Sequence, residues 1–355
     1  QRTVREAMEK MLGNIDNPAY LVPILGFCAA FTTRGNWKGY TDEEIAGLAE
    51  GIEFQKAFSY SLQGTDSLVF VMGSGGDSLK TFNISTGATM VSAAAGAVTP
   101  KVGGPTVTSK TGSARVAEAL GFNLAAPREL LIQAIEEHRF AFFRLNEQYP
   151  WIDSLEAIRE QPFASIIFTF FSPLRIAVVA GLNPLEASWG VKGIPYPDLD
   201  MERIARVLCK IGYERVLMPC GFGPTPKDSI DEFSVVGKTK VCELRQGRIQ
   251  TYELMPEEVG LKTHSPSEIT PGETHEENAR HLMEVISGQD QGGKRDAVLI
   301  NAAANLYVAG VSKDLREGVE LAAQAIDQGK VIELMEAVIS MTQGDIKQFR
   351  GSLGG

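Results

Sequence analysis

The residues with the clearest chemical promise sit in one short stretch. Gly73-Ser-Gly-Gly-Asp77 directly follows the apolar run Ser67-Leu-Val-Phe-Val-Met72, and Thr81-Phe-Asn-Ile-Ser-Thr86 then opens a run of small residues from Gly87 to Ala97. A continuous apolar run of that length predicts a buried strand, and the small-residue run predicts a helix. A strand, a glycine turn and a helix tip aim backbone N–H groups and the positive end of a helix dipole at one point, which suits an anion such as phosphate. Gly73, Gly75 and Gly76 would let the backbone approach that anion closely, and Asn83, Ser85 and Thr86 would add side-chain donors. Gly-Ser-Gly-Gly alone, being neither GxGxxG nor a Walker loop, suits an ordinary tight turn better than a phosphate site; the neighbouring Asn-x-Ser-Thr helix start tips the reading toward phosphate.

Two further features bear on charge. Lys101 stands before Val102-Gly-Gly-Pro-Thr106, a lone cation beside a glycine-containing loop, where a lysine is ordinarily solvent-facing. Asp231-Glu232 closes the Gly- and Pro-rich stretch 221–228 and offers two hard oxygen donors, either as a solvated surface pair or as metal ligands. Asp77 would repel a phosphate directly, so its work is to hold loop amides or to accept from a sugar hydroxyl. Histidine is scarce, with only His138, His264, His275 and His281.

Positioning these groups requires alternating elements. Helical spacing marks residues 1 to about 64, through Val4, Met8, Met11 and Leu12 and again through Ile45, Leu48 and Ile52, with Thr41-Asp-Glu-Glu44 as a capping box. Pro18 to Phe31 is apolar enough to be simple core or to pack on another subunit. Further helices are expected at Val116–Leu120, Arg128–Glu137, Ile204–Ile211, Glu277–Ile286, Ala297–Ala309, Leu315–Gln328 and Val331–Ile339. Strands are expected at Arg215–Met218 and, paired, at Lys240–Leu244 and Ile249–Leu254. The Pro-rich piece 183–200 and the polar piece 263–276 read as loops.

Composition bounds the answer. At 355 residues, 44% hydrophobic and 22% charged, the chain has the makings of about two globular domains. A net charge of −10 argues against a general affinity for nucleic acid or anionic lipid. Cys28, Cys209, Cys220 and Cys242 form no CxxC pair, which disfavours a zinc knuckle or disulfide framework and fits a reducing cytoplasm. Ala164 to Leu182 is apolar, but Pro173 and Arg175 break it well short of the ~20 residues a membrane span needs. The first residues read as the start of a helix, not as a signal peptide.

The motifs taken in order are specific. Gly73-Ser-Gly-Gly-Asp77 with Thr81-Phe-Asn-Ile-Ser-Thr86, Lys101, Thr108-Ser-Lys-Thr-Gly-Ser-Ala114, Val116-Ala-Glu-Ala-Leu-Gly121, Asp231-Glu-Phe-Ser234, Glu277-Asn-Ala279 and Arg295-Asp-Ala-Val-Leu-Ile-Asn-Ala-Ala-Ala304 with Leu306-Tyr-Val-Ala-Gly310 resemble the anthranilate phosphoribosyltransferase family from about residue 40 to 335. The resemblance implies an α/β fold, in which a small all-helical domain accompanies a large α/β domain with a central mixed sheet, like the nucleoside phosphorylases and related phosphoribosyltransferases. The helical part is expected at 1–64 with a returning segment near 155–185, and the large domain at 65–154 and 186–355. A site between the two would exclude water on closure.

The implied reaction transfers phosphoribose from phosphoribosyl diphosphate to the amine of anthranilate, a step of tryptophan biosynthesis, with diphosphate released. No side chain need act as a nucleophile; positioning and electrostatic stabilisation of the departing anion carry the work. The resemblance further implies substrate contacts from Gly73, Gly75, Gly76, Asp77, Thr81, Asn83, Ser85, Thr86, Lys101, Gly103, Gly104 and Ser109. Arg159 would face the acceptor carboxylate, with a surface salt bridge as its other reading. Mg²⁺ would be held by Ser85, Asp231 and Glu232, and the protein would be a cytoplasmic homodimer that binds neither nucleic acid nor membrane.

The acceptor side departs from the family pattern. The family's Lys-His-Gly-Asn-Arg-Ser appears as Lys101-Val102-Gly103-Gly104-Pro105-Thr106, His-Pro-Ala-Met as Tyr149-Pro-Trp-Ile152, and Asn-Leu-Leu-Gly-Pro-Leu as Thr169-Phe-Phe-Ser-Pro-Leu174. Tyr149 and Trp151 would give a broader, more aromatic pocket, so transfer to another aromatic or heteroaromatic acceptor is the alternative. A non-catalytic nucleic-acid-binding relative would need basic stripes, which are missing. A nucleoside phosphorylase would carry a basic phosphate site in place of Asp231-Glu232.

Overall fold

A computed structural model describes residues 1–15, 17, 39–57, 67–103, 112–154, 175–225 and 227–353. Gly104, Ser109 and Arg159 lie outside the described residues, as do Pro18 to Phe31 and the apolar segment 164–174. The chain divides into two compact units.

The first unit comprises Gln1–Tyr60, Leu145–Glu186 and Asp200–Tyr213, and its described regular elements are all helices. The helix Asp42–Phe54 starts where the sequence places it, with Thr41 and Glu44 exchanging both capping-box hydrogen bonds. Helices Arg2–Leu12, Arg175–Gly181 and Met201–Lys210 pack on it. Residues 145–154 and 200–213, expected in the α/β part, belong instead to this unit. The reason for the second is visible in the helix Met201–Lys210, whose apolar face of Met201, Ile204, Ala205, Val207 and Leu208 is buried. Arg203 and Arg206 also pair with Asp42, and Lys210 with Glu43.

The second unit comprises Ser61–Arg144, Ala187–Leu199 and Glu214–Gly355, and it holds an eight-stranded mixed sheet. Its strands are β1 (Val69–Gly73), β2 (Lys101–Gly103), β3 (Phe142–Arg144), β4 (Trp189–Gly193), β5 (Arg215–Phe222), β6 (Ser229–Ile230), β7 (Thr239–Arg245) and β8 (Arg248–Leu254). The order is β3-β2-β1-β4-β5-β7-β8, parallel from β3 to β5 and antiparallel beyond, with β6 pairing β5. β1 lies mid-sheet, which explains its unbroken apolar sequence: strands covered on both faces need no polar alternation. β8 is an outer strand, and none of its residues is fully buried. Gln246 and Gly247, both at positive φ, make the two-residue turn that joins it to β7.

β4 corrects the sequence reading of 183–200 as loop. Trp189-Gly-Val-Lys-Gly193 lacks the apolar run of β1 and sits among prolines, yet it pairs β1 over all five residues. β2 and β3 are only three residues each, too short for a periodicity to register.

Helices cover the sheet. The helix Ile84–Ala94 packs on the helix Gly293–Ala309, which also packs on Leu315–Asp327. Small residues set the spacing: Ala302, Ala303 and Ala304 have no exposed surface. No described helix is long and apolar enough to cross a membrane.

Candidate functional site

The glycine turn and the acid pair, 156 residues apart in sequence, meet directly. The backbone N–H of Gly75 donates to Asp231 Oδ2 at 2.6 Å, and the backbone N–H of Asp231 donates to Asp77 Oδ1 at 2.8 Å. One link further on, the N–H of Ser85 in the first turn of the helix Ile84–Ala94 donates to Glu232 Oε1 at 3.0 Å. Lys101 Nζ donates to Ser85 Oγ at 3.2 Å, completing a hydrogen-bonded chain from β2 to the glycine turn. Gly73, Ser85, Asp231 and Glu232 line one pocket together with Asn301 and Asn305.

Backbone geometry explains the glycines. Gly75 and Gly76 have φ of 65° and 94°, in the left-handed region that side chains disfavour. Gly73 and Gly193, partners in the β1–β4 register, leave room for Asp231: a Cβ on Gly73 would meet its carboxylate, and one on Gly193 its carbonyl. The turn is held from outside by Ser74 N–H on Gly193 O, by Ser78 N–H on Ser229 O, and by Ser229 N–H on Ser78 Oγ.

Charge is concentrated here. Desolvation, reinforced by Asp231, raises the Asp77 carboxyl to about 8. Asp231 and Glu232 are raised by the same loss of water, against the pull of the Gly75 and Ser85 amides. Lys101, 5% exposed, is lowered by burial even though both acids favour its charge. Three desolvated carboxyls, two of them acting on Lys101, hold their protons more tightly than in water, and a divalent cation would displace those protons and offset the charge they leave.

The donor set fits such a cation. Asp231, Glu232 and the Ser85 hydroxyl are hard oxygen donors of the kind Mg²⁺ takes. Among the described residues no three His, Cys, Asp or Glu side chains form a complete metal cage. A small hard ion held by one or two carboxylates, with substrate oxygens and water filling the rest, has no need of one.

The remaining expected residues fall as follows. Asn83 caps the helix Ile84–Ala94 by position but makes no side-chain cap bond; the Glu232 carboxylate accepts from Ser85, the second residue of the helix, instead. Thr81 precedes that helix and is half-buried. Thr86 has no exposed surface and its Oγ1 is buried without a partner among the described residues, so it does not present a hydroxyl as Ser85 does. Gly103 ends β2, opposite Arg144. Tyr149, expected to widen an acceptor pocket, is fully buried in the helical unit with its hydroxyl accepting the Asn183 N–H at 3.2 Å. It is a core residue.

Sequence reasoning gave no role to Gly193, Ser229, Asn301 or Asn305. The asparagines carried a signal: two amides in the apolar run Ile300-Asn-Ala-Ala-Ala-Asn305 must be buried, and buried amides need partners.

Comparison with known proteins agrees with this geometry. Residues 65–332 match the model of a glycosyl transferase family, a/b domain. The anthranilate phosphoribosyltransferase of Anaeromyxobacter sp. (strain Fw109-5) is 36% identical over 315 residues, 89% of this chain and 88% of that protein. This chain belongs to the anthranilate phosphoribosyltransferase family. The Petrotoga mobilis member is 35% identical over 88% of this chain and 86% of its own length. Among solved members, the Thermus thermophilus enzyme superposes with a TM-score of 0.79 at 28% identity, covering 96% of this chain and 94% of that one. The Saccharomyces cerevisiae enzyme, solved in complex with PRPP and Mg, shares the fold with a TM-score of 0.77 at 23% identity over 96% of this chain and 92% of its own. Family membership makes the chain a pentosyltransferase.

Proposed function

We propose that this protein transfers phosphoribose from phosphoribosyl diphosphate to the amino group of anthranilate, releasing diphosphate, with Mg²⁺ held by Asp231, Glu232 and Ser85. The observation that carries the reading is the meeting of the Gly75 and Ser85 N–H groups with the two acids in one pocket. In the reaction the amine lone pair forms a bond to the sugar C1 as the C1–oxygen bond to diphosphate breaks, and the amine proton passes to water. The barrier lies mainly in separating an anion from a cation-like sugar, so donors fixed around the leaving group are the catalytic resource.

The chain supplies fixed charge and the groups that hold it. Gly75 N–H and Ser85 N–H are spent on Asp231 and Glu232, so they fix the two acids that would hold the metal beside the diphosphate. Lys101 adds a positive charge beside them. Asp77, held partly protonated by burial, keeps the Asp231 backbone fixed without adding a full repulsive charge. Mg²⁺, when bound, neutralises charge that develops on the departing diphosphate.

Acceptor identity rests on family relationship, since Gly104, Ser109 and Arg159 lie outside the described residues. Incubating the protein with phosphoribosyl diphosphate, Mg²⁺ and a panel of aminobenzoates and heteroaromatic amines, and following diphosphate, tests the reading. Release with anthranilate is expected; release only with another acceptor would move the assignment, and none with any would defeat it. Homodimer formation and work in the cytoplasm are part of the proposal, the former checked by sedimentation.

A further inference from the structure

Glu232 can serve a metal only if its carboxylate points the same way each time, and it sits on a short connection between β6 and β7. One end of that connection is fixed at Asp231, by Asp77. On the other side of Glu232, Phe233 has both backbone polar groups held by one side chain of the helix Gly293–Ala309. Asn301 Oδ1 accepts the Phe233 N–H at 2.9 Å, and Asn301 Nδ2 donates to Phe233 O at 3.0 Å. The second Nδ2 hydrogen goes to Ala297 O at 2.9 Å, which fixes the amide plane on its own helix. Asn301 is 5% exposed and lines the pocket that holds both acids.

Such an amide mimics a paired strand residue at a place where no strand runs. An apolar side chain of equal volume would fill the space, but it would leave Phe233 with two unpaired buried backbone groups. The connection would then turn to find partners, carrying Glu232 with it. Core filling does not require an amide at this spot, whereas aiming the neighbouring carboxylate does.

We propose that Asn301 is the positioning residue for Glu232, clamping the adjacent peptide so that the carboxylate is presented to the metal, a role that rests on the phosphoribosyl transfer proposed above. Its amide oxygen and both amide hydrogens are engaged by Phe233 and Ala297. It acts through the backbone of Phe233.

The test measures Mn²⁺ uptake by electron paramagnetic resonance with and without phosphoribosyl diphosphate, alongside turnover, for the full chain and for Asn301→Leu, Asn301→Ser and Thr342→Val. Thr342 is a buried hydroxyl remote in sequence from the site and bonded to Val338 O, so its loss reports destabilisation alone. Both Asn301 variants are expected to bind Mn²⁺ roughly tenfold more weakly and to need correspondingly more Mg²⁺, as residues that orient metal ligands typically do. The KM for anthranilate should stay within about twofold, and Thr342→Val should leave Mn²⁺ affinity unchanged. Unchanged affinity in folded Asn301 variants would overturn the assignment, as would failure of both to fold, which would make Asn301 a purely structural residue. A wild-type chain that neither takes up Mn²⁺ with phosphoribosyl diphosphate nor releases diphosphate would instead defeat the functional reading, and this role with it.

Discussion

A Cβ atom placed on Gly73 would lie 2.1 Å from Oδ2 of Asp231, the same oxygen that accepts the Gly75 N–H. Gly73 is therefore a steric requirement of the acid pair. Gly73→Ala must either push Asp231 off the glycine turn or spread β1 from its neighbours. An overpacked site of this kind costs about 1 to 3 kcal/mol. Displacement of the carboxylate should also raise the KM for phosphoribosyl diphosphate while leaving that for the acceptor near its original value. Thermal unfolding and initial-rate kinetics on the one variant read both effects; a variant as active and as stable as the parent would show that the close contact is not needed.

The acid pair can be stripped of charge with little change of shape. Asn and Gln retain an oxygen that accepts from the Gly75 and Ser85 amides, so Asp231→Asn with Glu232→Gln should fold. Its stability should rise, because two desolvated carboxyls no longer oppose each other and Asp77. Turnover should fall at least ~100-fold, in the range seen when fixed charge stabilisation is removed from a transition state. Lower stability with undiminished turnover would contradict both the electrostatic reading and the metal assignment.

Lys101 offers the complementary experiment. Methionine matches its length without the charge, but it leaves the buried Asp231 and Glu232 without their one nearby cation, and removing a single partner from a buried charge cluster costs about 3 to 5 kcal/mol unless the charge left behind is neutralised. Lys101→Met should therefore unfold at a lower temperature than the parent at neutral pH, with the gap closing as the acids take up protons at lower pH. Its KM for phosphoribosyl diphosphate should rise roughly tenfold or more, the worth of a charge-assisted hydrogen bond of ~1.5 kcal/mol or above. A collapse in stability with substrate affinity intact would recast Lys101 as a structural counterion of Asp231 and Glu232.

Much of the local structure around this site is legible in the sequence, for a physical reason. A strand feeding a glycine turn and a helix tip is a local pattern, written in consecutive residues from Ser67 to Thr86, and β1 and the helix Ile84–Ala94 form where that pattern puts them. Asp231 and Glu232 could be tied to it from motif order, but their role as caps of Gly75 and Ser85 could not, since that depends on Gly193 leaving room across the sheet. β4 escaped notice because its neighbours supply the hydrogen bonds that its own composition does not advertise. Tyr149 misled for the opposite reason: an aromatic substitution in a family motif reads as pocket, and only packing reveals it as core.

The polar segment 263–276, read from the sequence as a loop, holds a 3-10 turn at Pro266–Ile269 and the start of the helix His275–Ile286, and it carries a pH dependence of its own. His264 Nδ1 lies 2.9 Å from Glu268 Oε2 and its Nε2 lies 2.8 Å from Asp296 Oδ2, so both bonds can be charge-assisted only when the ring is an imidazolium. Burial disfavours that charge, but the bonds to Asp296 and Glu268 outweigh it and hold the imidazole above its ordinary value. The folded state thus binds the proton more tightly than the unfolded chain. Its contribution to stability is complete below the unfolded value of about 6.5 and is lost as pH rises through the higher folded value. His264→Gln can keep one bond but cannot titrate. Urea unfolding of the two proteins should show the parent ahead at about pH 5.5 and the gap narrowing by about pH 9. A gap that stayed constant or widened toward high pH would mean that the ring is bound neutral, with one of its two carboxylates protonated.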